Sequence, residues 1–280
     1  MSGPTAARLA DGRLHLQHGP IDLIVAAEGP AAETALHAAR ARFATILSEL
    51  VAELPRLRSP DGPAPSGAVA RRMVAAVAPH AAAEFVTPMA AVAGAVADEV
   101  LATMRATGPL RRAYVNNGGD IALHLSGDAR FTVALAQEDG RVDGALTLDA
   151  ESGAGGVATS GQGGRSLSLG IADAVTVLAG SAAAADAAAT LIANAVDLPG
   201  HPAIRRIPAN ILRDDSDLGA RLAVASVGPL AQAETEAALA RGAARAEAML
   251  RVGLILGAAL RLRGAARLVG AARVREVAHA

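Results

Sequence analysis

The chain has no cysteine, no tryptophan and, reading along its rows, no lysine, so all 26 side chains counted as Lys or Arg are arginine. The missing thiols exclude disulfides, thiol nucleophiles and cysteine-ligated zinc. The missing lysines exclude Schiff-base chemistry, a lysine general base and a P-loop lysine on phosphate. Aromatic side chains are scarce as well, at three Phe and one Tyr, which removes the stacking platforms that hold single-stranded nucleic acid. A formal net charge of -1 argues against a generic binder of phosphate backbones, and no nucleic-acid partner is expected. The longest apolar run, residues 171–196, is broken by Asp173 and Asp186. A charge at mid-bilayer costs roughly 2.5–3.5 kcal/mol, so no membrane partner is expected. The first residues show no leader-type apolar segment, and the expected location is cytoplasmic.

What the chain does have is apolar bulk. Hydrophobic residues make up 52% of 280, enough for a sizeable core. One domain over 1–280 is expected, with two intertwined halves, about 1–110 and 111–280, as the alternative. Residues 13–27 read as two short strands about a His18-Gly19-Pro20 turn. Leu36, Ala39, Phe43, Ile46, Leu47, Leu50 and Leu54 fall at helical spacing and predict a helix over 31–54. Residues 55–67 read as a Pro/Ser/Gly loop, and 68–78 as a short strand or mixed segment. Thr87 as cap, Pro88 at the first helical position and Gly108-Pro109 at the end bracket a further helix.

Strands are expected at 112–116, 121–125, 131–136, 146–148, 167–169 and 174–179, then a helix over 182–196 capped by Ser181. A helix at 232–250 follows, and two strands about Gly264. Asp214, Asp215 and Asp217 read as a solvated turn with a helix cap. Strands and helices do not alternate one for one, so the fold class is α+β, mostly antiparallel, rather than doubly wound. Helices rich in small residues suit packing across a subunit boundary, and a homo-oligomer, a homodimer, is expected.

Three segments are able to carry chemistry. The first is Thr159-Ser160-Gly161-Gln162-Gly163-Gly164-Arg165. Glycines let main-chain N–H groups point together into a concave nest, hydroxyls add donors, and Arg165 supplies a fork suited to phosphate. The other reading of the same residues is a Gly/Ser connection. The second is Asn116-Asn117-Gly118-Gly119-Asp120, a hairpin turn by its Asn-Gly signal but with amide and carboxylate groups to spare. The third is Asp186 and Thr190, four apart and therefore on one helix face. A carboxylate and a hydroxyl are oxygen ligands of the type Mg²⁺ accepts; the other reading is an alanine-rich packing helix. The histidines do not cluster.

Taken in order, these segments resemble the ApbE-like superfamily, whose best-known members are FAD:protein FMN transferases. The matching runs are "VNNGGDIALHL", "GVATSGQGG" and "AADAAAT", with "GAVAD" from Gly94 to Asp98 beside the family's Gly-Tyr-Ala-Val-Asp. The variants "TSGQGGRS" and "GIADAVTVLA" are similar to a branch known as uncharacterised protein family 0280. The resemblance covers roughly residues 85–197. It implies a T-fold-like architecture, FAD or FMN in a cleft, and Mg²⁺ at its phosphates. On that basis Asp186 and Thr190 match the metal-ligating positions. Thr159, Ser160, Gly161, Asn117, Gly118, Gly119 and Asp120 match the flavin pocket, with Arg165 as anion clamp.

Two positions depart from the transferases. Ala93 stands where they carry Lys, and Gly170 where they carry His. The expectation is therefore a protein binding a flavin or another phosphate-bearing or anionic small molecule, without FMN transfer. Asp173 is the candidate catalytic acid, and Mg-dependent cleavage of FAD to FMN and AMP is the simplest reaction. A hydrolase or lyase acting on a different small molecule, or a non-catalytic binding protein, stands as the alternative.

Overall fold

The structure, a computed structural model, describes residues 3–136, 142–164, 166–270 and 274–276. In chain order its strands and helices are β1 (Thr5–Arg8), β2 (Leu14–His18), β3 (Ile21–Glu28), α1 (Ala32–Ala52), α2 (Leu54–Leu57), α3 (Ala68–Val77), α4 (Val92–Arg105), β4 (Arg112–Asn117), β5 (Asp120–Leu125), β6 (Arg130–Ala136) and β7 (Val142–Asp149). Then come β8 (Gly156–Ser160), β9 (Ala174–Ala179), α5 (Ala182–Ala195), β10 (Ile204–Pro208), α6 (Ala209–Leu212), β11 (Leu222–Val227), α7 (Gln232–Arg251), β12 (Gly257–Leu262), β13 (Ala265–Gly270) and β14 (Val274–Glu276). The chain divides into two compact units. The first comprises Met1–Val133, Thr147–Ala158 and Ala179–Ala187; the second comprises Ala134–Leu146, Thr159–Leu178 and Ala188–Ala280.

In the first unit, apolar alternation builds an antiparallel sheet in the order β1-β2-β3-β4-β5-β8. Leu14 and Leu16 on β2, and Ile21, Leu23 and Val25 on β3, face the core while their neighbours stay more open. α1 lies on β2 and β3 with Leu36, Ala39, Phe43, Ile46, Leu47 and Leu50 buried, the face that the spacing predicts. α4 lies on β4 and β5 and buries Val96, Val100, Leu101 and Met104. A 3₁₀ turn at Pro88–Ala91 leads into it, and the Thr87 side chain makes no capping bond there.

The segment 68–78, expected as strand or mixed, is the helix α3. The burial decides it: Val69, Met73 and Val77 are four apart and inward, whereas a strand would have turned Arg71 to the same side as Val69 and Met73. Glu53 fixes the helix start by accepting the Ser66 and Gly67 N–H groups at 2.9 and 2.7 Å.

In the second unit β9, β12 and β13 form an antiparallel group with α7 on β12 and β13. β10 pairs with β11, and β14 with β7. The expected strand at 167–169 is absent, because the Leu169 N–H donates at 3.0 Å to Asn194 Oδ1 rather than to a ladder. Asp214, Asp215 and Asp217 lie in a turn after α6 that leads to β11 with no intervening helix to cap.

Arg263 is the one non-glycine residue with positive φ (51°) among the described residues, and Gly264 follows at 79°. Two consecutive positive φ values are what a two-residue hairpin of the twist-matched type requires between β12 and β13.

Candidate functional site

α5 reads AAAADAAATLIANA because nearly every face of it is buried, and alanine lets other main chains come close. In the first unit its start meets the start of α4. A Cβ at Gly94 would lie inside the Ala182 carbonyl and 2.7 Å from the Ala183 nitrogen, so the contact is main chain on main chain. Each helix supplies a carboxylate to the other's open N–H groups. Asp98 on α4 accepts from Ala182 at 3.0 Å and Ala183 at 2.9 Å. Asp186 on α5 accepts from Gly94 at 3.0 Å and also bonds the Ala93 N–H. Ser181 accepts from Ala184 at 3.2 Å, the cap expected of it. The first-turn donors that a helix leaves unpaired are thus met by side chains.

The Asp186 side chain keeps a partial opening to solvent yet sits deep among protein atoms. Burial pushes its carboxyl well above the usual range, the charge of Asp120 adds to the rise, and the Gly94 and Ala93 N–H groups oppose it; Asp98 raises it further. Burial also raises Asp98, against the Ala183 and Ala182 N–H groups and the Arg72 charge.

Asp120 opens β5 directly after the hairpin turn, across which it pairs with Asn117. Gly118 and Gly119 take φ of 63° and 112°, and Asn116 Oδ1 accepts the Gly119 N–H at 2.8 Å. Asn117 is buried and donates to the Ala93 carbonyl at 3.1 Å. The hairpin reading of this turn holds for both asparagines, whose side chains serve the fold. The structure nevertheless brings Asn117, Gly118, Gly119, Asp120 and Asp186 into one neighbourhood of the first unit.

The glycine-rich segment after β8 belongs to the second unit from Thr159 onward. Its amides do not stand open as a nest. Gln162 donates to the Ala172 carbonyl at 2.8 Å, Gly163 to Asp173 at 3.2 Å and Gly164 to Gly161 at 3.1 Å. Gly161 has φ of 140°, and a Cβ there would lie 2.6 Å from the Asp173 carbonyl, so this glycine is demanded by a close main-chain approach. Thr159 shares a 2.8 Å hydroxyl bond with Thr176, and Ser160 is partly open. Arg165 lies outside the described residues.

Asp173 accepts the Arg263 N–H at 2.5 Å and so anchors the β12–β13 turn, whose guanidinium also bonds the Val227 and Gly228 carbonyls. Asp173→Ala is expected to cost about 1 kcal/mol by stranding that N–H, while Asp173→Asn, which keeps an acceptor, costs less. Urea unfolding of the two variants checks this, and an Asp173→Ala as stable as the wild type would mean the anchor contributes nothing.

Gly170 is closed to any side chain: a Cβ there would overlap the Ala193 carbonyl and lie 2.8 Å from the Asn194 Cα. Thr190 stands four residues beyond Asp186 in α5, and the division between the units falls after Ala187. Among the described residues no three of His, Asp and Glu gather in a way that would hold a metal ion by themselves. Nor is any helix among them long and apolar enough to cross a membrane.

Sequence reasoning missed the role of Asp98. The signal was there: a carboxylate four residues after a glycine, with only small apolar residues between them, points the same way as the close contact the glycine permits.

An antiparallel sheet backed by helices, with two aspartates crossing between helix starts, makes the chain an α+β protein. More narrowly, the chain belongs to the family described as AbpE bacteria, whose model matches residues 6–268. It is similar to a UPF0280 protein of Methanothermobacter thermautotrophicus, 41% identical over 116 residues that cover 41% of this chain and 44% of the relative. A UPF0280 protein of Methanopyrus kandleri is 42% identical over 112 residues, covering 39% and 43%. The match thus spans less than half the length of these curated relatives. Among solved structures, the flavin transferase ApbE from Vibrio cholerae aligns over 95% of this chain and 96% of its own, at 14% identity and a TM-score of 0.48.

Proposed function

We propose that the chain binds a phosphate-bearing small molecule, with a flavin (FAD or FMN) as the first candidate, and that Asp186 and Asp120 hold a divalent cation, Mg²⁺, which meets its phosphates. The observation that carries this is the Asp186 carboxyl, which burial and then the charge of Asp120 hold above the usual range, beside the Asn117–Asp120 turn whose Asn117 bonds the Ala93 carbonyl next to Gly94. Such a pair calls for a cation. Mg²⁺ suits such a pair, because it keeps water and ligand phosphates in its shell rather than a cage of protein groups. The bound metal would neutralise phosphate charge and favour attack by water.

The flavin rests on the family and on the resemblance in the Asn117–Asp120 and Thr159–Gly161 segments. FMN transfer to protein is not part of the proposal: Ala93 has no ammonium, and the main-chain packing at Gly170 leaves no room for an imidazole. If the ligand is FAD, water attack on its pyrophosphate yields FMN and AMP.

The test is to record the visible spectrum of the purified chain, then to incubate it with FAD and Mg²⁺ and assay AMP. Flavin retained on the protein, and AMP release lost in Asp186→Ala, are the expected results. A chain that stays colourless after incubation with FAD overturns the flavin. AMP release that survives Asp186→Ala overturns the metal assignment.

A further inference from the structure

The geometry points to Asp98 as the positioning residue for Asp186, and therefore to a site that takes up its phosphate ligand through the cation and not through the N-terminus of α5. This rests on the reading that Asp186 holds the cation.

The first turn of a buried helix is ordinarily a place for an anion, since its N–H groups point outward and its dipole favours negative charge. Here that place is filled from within. One Asp98 oxygen takes the Ala182 N–H and the other takes the Ala183 N–H. With Ser181 on Ala184, the donors of residues 182, 183 and 184 are all engaged. A ligand phosphate arriving at this terminus would have to displace a carboxylate that is already bonded twice.

The same two bonds fix where α5 begins. Asp186 follows Ala182 by four residues, about 6 Å along the axis at 1.5 Å per residue. Its own bond returns to Gly94, four residues before Asp98 on α4. The ring closes: Asp98 sets the height and rotation of α5, α5 carries Asp186, and Asp186 is tied back to the helix that carries Asp98. Gly94 lets the ring be this tight, because no other residue permits its main chain to rest on Ala182 and Ala183. Arg72 and Asp186 are the charges that act on this arrangement from α3 and α5, and Asp120 acts from β5. Asp98 spends both oxygens on N–H groups and acts on the cation through Asp186.

Manganous ion, which replaces Mg²⁺ and is read by its own EPR signal, tests the assignment on the full chain. Two variants separate position from charge. Asp98→Asn keeps one acceptor and removes the charge; Asp98→Glu keeps the charge and changes the reach. Circular dichroism confirms the fold of each. The expected result is Mn²⁺ uptake by the wild type, loss of uptake in Asp186→Ala, and affinity weakened about tenfold in both Asp98 variants, as when the partners of a metal ligand are removed. The weakening in Asp98→Glu is the decisive one, because that variant keeps the charge and loses only the placement.

Asp98 variants that melt lower but bind Mn²⁺ as the wild type does would overturn the inference and leave the cation site standing. A weakening that occurs in Asp98→Asn and not in Asp98→Glu would overturn it too. Absence of uptake by the wild type would overturn this inference together with the reading on which it rests. If Asp98→Asn does not fold, Asp98→Glu alone decides between the outcomes.

Discussion

Gly94→Ala is expected to destabilise the first unit by about 3 kcal/mol, the upper part of the usual range for forcing extra atoms into a packed interior. The added methyl would meet main-chain atoms of Ala182 and Ala183 and no flexible side chain, so no rotamer change can make room. Relief requires α4 and α5 to separate, and separation breaks the bonds of Asp98 to α5 and of Asp186 to α4 together. Gly180→Ala is the comparison. Gly180 has open space where a Cβ would go, and its substitution should stay within about 0.5 kcal/mol of the wild type. The urea midpoints of the two variants, taken with unchanged slopes, report the difference. Equal midpoints would show that the helix contact tolerates a methyl and that the cross-capped arrangement is not tight.

Asp186→Asn is expected to be more stable than the wild type at neutral pH in the presence of a chelator, with the advantage shrinking as the pH falls. The sign follows from the raised carboxyl of Asp186, which in the folded chain holds its proton above the ordinary carboxylate range. A group with a raised folded pKa contributes stability that is fully present below its unfolded value and is lost as pH rises through the folded value. The wild type therefore weakens across that window, while asparagine, which cannot ionise, does not.

The groups facing Asp186 agree with this direction. Asp120 from β5 and Asp98 from α4 repel the charged form, and the Gly94 and Ala93 N–H groups only partly offset burial. The asparagine oxygen still accepts the Gly94 N–H. Added Mg²⁺ should reverse the order, because a cation favours the ionised aspartate of the wild type and finds no charge on asparagine. Melting curves over a pH series, with chelator and with Mg²⁺, read both effects. A stability difference between Asp186→Asn and the wild type that does not change with pH would remove Asp186 as a strained carboxylate.

Where a segment's side chains decide its state locally, the sequence was legible. The apolar face of α1 needed only helical spacing: six of the seven residues that predicted it are buried in the helix, and the seventh, Leu54, opens α2. The hairpin of β12 and β13 followed from alternation about Gly264, and the α5 cap followed from Ser181. α3 was not legible as a helix, because its ten residues carry too few large apolar positions to fix a period. What settles it is Arg72, which reaches Glu99 at 2.9 Å, and burial at a spacing of four against its neighbours.

The strand reading of 167–169 failed because Asn194, 25 residues on, takes its N–H. In the candidate site the Asn117–Asp120 turn and Asp186 were picked out as residue types. The sequence could not say that Asp98 would hold the start of α5, since that bond spans 84 residues. Nor could it say that the amides of the 162–164 loop would be turned inward. The carbonyls of Ala172 and Asp173 that receive two of them lie about ten residues on, and main-chain acceptors leave no mark in the sequence.

The composition of the first unit also bears on how the chain is made. Its largest piece ends at Val133, but its sheet and helix contacts are completed only by Thr147–Ala158 and Ala179–Ala187. At a ribosomal pace of roughly 5–20 residues per second, the emerging N-terminal part would wait some seconds for the pieces that finish it. During that wait β5 lacks its β8 neighbour, and the N–H groups of Gly94 and Ala93 lack their aspartate. A nascent chain halted at Val133 would thus present a sheet margin and a frayed helix start, a natural landing place for a holding chaperone.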